Sequence, residues 1–144
     1  MLSAADEGAD RERWPLIFAA GEGDAAAVRD LLASGSDANA KSRDGESALH
    51  VAGIKGDPDT VRALLNAGAE VDARTPAGTT MSMTPLHWAI YGGHLQMVEM
   101  LLSAGASPTA ANEHGTLPLE MAVSARWPEI ESLLRAAIQR KEEL

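Results

Sequence analysis

Chemistry in this sequence would have to start from four histidines, a scatter of serines and an excess of carboxylates. Histidine is the commonest side-chain metal ligand, and His50 and His87 recur in similar surroundings, Ser47-Ala48-Leu49-His50 and Thr84-Pro85-Leu86-His87. Recurrence at one position also fits a structural role. His94 follows Gly93 and His114 follows Glu113, and neither has a Cys or His companion at ligand spacing. Cysteine is absent, so there is no thiolate metal site and no disulfide framework, and the chain is expected inside the cell. The serines from Ser34 to Ser132 include no Gly-x-Ser-x-Gly elbow, no glycine-rich loop cradles phosphate ahead of a helix, and the Asp and Glu pairs fall on surfaces without an evident cleft. The expectation is a non-enzyme with no metal and no cofactor.

The elements that would hold these residues are legible in the composition. Hydrophobic residues make up 45% of the 144, yet there are only 3 Trp, 1 Tyr and 1 Phe. Apolar content supplied by alanine, leucine, valine and methionine points to closely packed helices and away from a β-sandwich or barrel. The net charge of −9 repels phosphate backbones and anionic membrane surfaces. No stretch approaches the roughly 18 apolar residues of a membrane span, and residues 1 to 7 lack a basic n-region and an apolar h-region. The chain is therefore read as a soluble, untargeted, cytoplasmic protein, with the nucleus as the alternative compartment, and without nucleic-acid or membrane partners.

Self-similarity organises the sequence. Trp14-Pro15-Leu16-Ile17, Ser47-Ala48-Leu49-His50, Thr84-Pro85-Leu86-His87 and Leu117-Pro118-Leu119-Glu120 align, with leucines at 16, 49, 86 and 119 and steps of 33, 37 and 33. A second signature follows the first three: Val28…Leu31-Leu32…Gly35, Val61…Leu64-Leu65…Gly68 and Val98…Leu101-Leu102…Gly105. Apolar residues at i, i+3 and i+4 make one stripe of a helix, and the glycine closes it. Pro15, Pro85 and Pro118 would open first helices, and Pro58 and Pro128 second ones. The loops between, such as 37–45 and 70–78, read as projecting turns.

These residues, with Gly93-His94-Leu95 and Leu101-Leu102-Ser103-Ala104-Gly105-Ala106, resemble the ankyrin-repeat family over residues 14 to 138. The resemblance implies an all-α solenoid of four helix-turn-helix units joined by projecting β-hairpin-like loops. Its units would be about 14–46, 47–83, 84–116 and 117–138, the outer two acting as caps, with a flexible acidic tail at 1–13 and a polar tail at 139–144. In such units the histidine ties turn backbone to the neighbouring unit.

The same resemblance implies a monomeric protein-interaction module with a concave binding face of loop tips and first helices. Carried over by position, that face comprises Lys41, Arg43, Asp44, Glu46, Ile54 and Lys55, then Arg74, Pro76, Thr79, Trp88 and Tyr91, then Glu113 and His114. A four-residue insertion before Thr84 adds Met81 and Met83 as adaptable apolar surface. The overall plan is also similar to short four-unit proteins of the myotrophin type, implying regulation of a cytoskeletal factor. Asn39 stands where asparagines of ankyrin proteins can be hydroxylated, implying a scaffold or substrate of an asparagine hydroxylase.

Overall fold

The computed structural model describes residues 4–78 and 80–143, with side chains from Gly8 onward. Helices α2 (Pro15–Gly21) and α3 (Ala25–Ala33) form the first unit. In the second, α4 (Ala48–Val51) runs into a 3-10 turn (Ala52–Ile54) and is followed by α5 (Pro58–Asn66). The third unit is α6 (Pro85–Tyr91) and α7 (Leu95–Ser103), the fourth α8 (Pro118–Ala125) and α9 (Pro128–Glu142). Helices α2, α4, α6 and α8 stack as one layer, and α3, α5, α7 and α9 as the other. The result is an all-α solenoid.

Local chemistry sets each boundary. Proline opens α2, α5, α6, α8 and α9, where the missing N–H has no partner to lose. Asp24 accepts from the Ala27 N–H at 3.1 Å, and Asp57 accepts from the N–H and hydroxyl of Thr60 at 2.9 and 2.8 Å, so side-chain caps satisfy the first turns of α3 and α5. Gly35, Gly68 and Gly105, at φ of 98°, 88° and 97°, end α3, α5 and α7 in a conformation that a Cβ would penalise.

The apolar stripes meet between units. Leu64, Leu101 and Leu134, equivalent residues of successive outer helices, are fully buried, as are Ala89 and Ala122 where inner helices approach. Leu31 is only partly buried, because α1 (Ala4–Arg13) packs on α2 and leaves the outer side of α3 open.

Both ends differ from the expected tails. Residues 4–13 form α1, which continues toward α2 through the Trp14 N–H donating to the Asp10 carbonyl at 2.8 Å. Cations replace the apolar stripe that would have revealed it. The Arg11 guanidinium lies over the Phe18 ring at 4.5 Å and that of Arg13 over the Trp14 ring at 5.1 Å. At the other end α9 runs on to Glu142, through the stretch read as a polar tail, with Arg140 and Lys141 in its last turn where the helix dipole favours cations. The loops are hairpin-like without strands among the described residues. One bridge, Lys41 to Ser47, and single closures such as Ser42 N–H to Glu46 O at 2.9 Å define them.

Candidate protein-interaction surface

The repeated histidines are consumed in building the surface. His50 is fully buried; its Nδ1 accepts from the Ser47 N–H at 3.1 Å, which leaves Nε2 protonated and donating to the Ala73 and Met83 carbonyls at 2.8 and 3.1 Å. One ring thus ties α4 to the base of the loop at 70–83 that leads into the third unit. Burial pushes its pKa down to about 4, against the opposing pull of those two carbonyls. His87 repeats the arrangement at Thr84, whose N–H donates to Nδ1 at 3.1 Å, but its Nε2 closes no hydrogen bond. Burial lowers its pKa too, and the Thr116 carbonyl, counterpart of Met83, only partly opposes the shift. His94 packs its ring on Gly56 and reaches the Ile54 carbonyl at 3.2 Å, so it also joins two units. His114 lies 3.7 Å from Glu113 at a loop tip.

The loops are laced to one another. Asn39 donates to the Gly68 carbonyl at 3.1 Å and accepts from the Glu70 N–H at 2.7 Å, and Asp72, its equivalent in the next loop, accepts from the Ser107 N–H at 3.0 Å. Asn39 is exposed, yet both ends of its amide are engaged. Asn39→Ala is expected to cost about 1 kcal/mol of stability, read as a lower urea midpoint with unchanged slope. An unchanged midpoint would mean that these ties contribute nothing.

The insertion is held in the same way. Met81 and Ser82 adopt positive φ, 60° and 52°, and the Ser82 N–H returns to the Pro76 carbonyl at 3.1 Å. Arg74 donates to the carbonyls of Ser82 and Ala111 at 3.1 and 2.7 Å. The Glu113 carboxylate accepts from the Gly78 N–H at 2.7 Å, while the Glu113 N–H donates to Met81 O at 3.0 Å. The longer loop at 70–83 is thereby fastened to the loop at 107–116.

These bonds divide the anticipated surface residues. Arg74 and Glu113 are spent between loops, Pro76 packs on Gly45, and Met83 is half-buried with its carbonyl occupied. Trp88 is half-buried against Gly53 and edge-on to His50, ring centroids 6.2 Å apart, and its indole N–H is buried without a partner. Lys41 is exposed beside its bridge, and Met81 is 37% exposed at the loop tip. Thr79 lies outside the described residues.

Tyr91 and Ile54 remain, one repeat apart and 82% and 56% exposed. Ile54 joins Arg43, Asp44, Glu46 and Lys55 around a cleft of about 650 Å³, whose other side is made by Asp10 and Arg13 of α1 with Trp14 and Phe18. Sequence reasoning placed Trp14 and Phe18 in a cap and missed the α1 wall. The available signal was aromatic spacing of four residues next to two arginines.

Stacked two-helix units, histidines spent on inter-unit ties, and side chains left free at equivalent positions define a repeat solenoid that presents a surface to other macromolecules. A family model described as ankyrin repeats, in three copies, matches residues 16–112 and 77–141. The chain belongs to the ankyrin-repeat family, whose repeats serve protein interaction. It is 32% identical over 114 residues to a putative palmitoyltransferase, ZDHHC13, of Danio rerio, covering 79% of this chain and 17% of that protein. It is 36% identical over 106 residues to palmitoyltransferase Hip14 of Drosophila melanogaster, covering 74% of this chain and 16% of that protein. With human palmitoyltransferase ZDHHC13 the identity is 34% over 94 residues, 65% of this chain and 15% of that protein. The chain spans about one sixth of the length of these relatives.

Proposed function

We propose that the chain is a non-enzymatic module that holds a protein partner against its concave face, with Ile54 and Tyr91 as the central contacts. One observation carries this reading: two large side chains at equivalent positions, 56% and 82% exposed, stand beside inner helices whose other residues are committed to stacking. Aromatic side chains are enriched among interface hot spots. Among the described residues no side-chain hydrogen bond or ion pair engages Tyr91.

The similarity to palmitoyltransferases supports a docking role beside acyl-transfer chemistry. The matched part is about a sixth of those proteins, and 144 residues without a cysteine offer no thiol to carry an acyl thioester. On this reading the repeats present a protein to a separate catalytic part.

Tyr91→Ala should abolish partner capture while leaving the melting temperature within about 2 °C, because exposed substitutions away from buried features change stability little. Affinity capture with the wild-type chain and with Tyr91→Ala, each checked by thermal melt, is the measurement. Retention of the same proteins by the variant would move the contact elsewhere.

A further inference from the structure

We propose that the cleft between α1 and the loop at 37–46 receives a basic segment of a protein partner, an apolar residue entering over Gly21 and an adjoining Lys or Arg side chain meeting Glu46 and Asp44. This deepens the concave-face reading and rests on it. The cleft holds about 650 Å³, and Phe18, Val51 and Ile54 supply its apolar lining.

Charge points to a cation. Asp10, Glu22, Asp44 and Glu46 line the cleft with Arg13, Arg43 and Lys55, yet no ion pair joins these groups among the described residues. Glu46 is half-buried and its carboxylate has no hydrogen-bond donor there, since its bonds to Ser42 run through the backbone. Burial, and then the neighbouring Asp44, raise its pKa.

The floor is left open by a glycine. Gly21 is the last residue of α2, its φ is not positive, and a Cβ there would meet Val51 and Ile54 at 3.8 and 3.9 Å, an ordinary contact. Neither conformation nor crowding calls for glycine, which weakens a helix relative to alanine. The equivalent positions in the next units carry Ile54 and Tyr91. A side chain at Gly21 would project into the space that Ile54 and α1 line.

Random linear peptides displayed on phage and selected against the whole chain test this, with the same selection on Glu46→Gln, Gly21→Leu and Tyr91→Ala. Thermal melts of every variant confirm folding. The expected result is enrichment of peptides carrying Lys or Arg next to an apolar residue, binding about tenfold or more weaker to Glu46→Gln, as loss of a charge-assisted contact implies, and also weaker to Gly21→Leu. Enrichment without basic residues, no enrichment at all, or equal binding to wild type and Glu46→Gln overturns the proposal. Peptides lost on Tyr91→Ala but indifferent to Glu46 and Gly21 would leave the concave face standing and remove the cleft; peptides indifferent to all three would remove both.

Discussion

Replacing Leu64 with alanine is expected to lower the unfolding free energy by about 2–5 kcal/mol, the range for truncating a fully buried leucine. Leu64 has no exposed surface, and its helix α5 packs on α3 on one side and α7 on the other. In a solenoid, stability comes from units and from the interfaces between neighbours. A cavity in the second unit therefore weakens coupling in both directions, which should lower the denaturant slope as well as the midpoint. Leu31→Ala, at the equivalent but partly exposed position of the first unit, should cost clearly less. Urea unfolding followed by circular dichroism reads both; equal losses for Leu64 and Leu31 would contradict the layer arrangement.

That difference between equivalent leucines marks how far the sequence is legible. A 33-residue period is visible because every unit solves the same packing problem, so Leu49 and Leu86, or Ala89 and Ala122, are both repeated and buried. Helix boundaries followed for the same reason, through Pro58, Pro85 and Pro118 at first positions and Gly68 and Gly105 past the ends. The terminal helix α1 escaped because it docks through arginines on aromatic rings, a contact with no helical periodicity. The reach of α9 escaped because Gln139 to Glu142 are helix formers with no partner to bury.

The surface was legible by elimination only. Ile54 and Tyr91 are free in the repeat pattern and exposed in the fold. Position alone could not show that Arg74 and Glu113 bond across loops, that Met83 lends its carbonyl to His50, or that Trp88 turns inward. Those outcomes depend on contacts about 35 residues apart in sequence, made across the inserted loop. The Asn39 and Asp72 ties have the same origin.

The buried histidines make acid the second strong perturbation: lowering the pH from 7 to 4 is expected to remove about 3 kcal/mol of stability through His50 alone. Its pKa falls from 6.5 in the unfolded chain to about 4 in the folded one, and each pKa unit corresponds to about 1.4 kcal/mol. Between those values the unfolded state binds more protons, so stability rises with pH across the window. The stabilisation is present above pH 6.5 and is lost progressively as pH falls toward 4. His87 acts in the same direction, since burial lowers its pKa as well. Glu46 works oppositely: its raised folded pKa disfavours the fold while ionised, and protonation relieves this as pH drops. Urea midpoints of the wild type and His50→Gln, measured from pH 7 to about 5, separate these contributions above the ordinary carboxylate midpoints. The variant starts less stable, having lost the ties to Ala73 and Met83, but its pH slope should be visibly shallower. Parallel slopes would mean that His50 is not the group whose protonation opens the join between the second and third units.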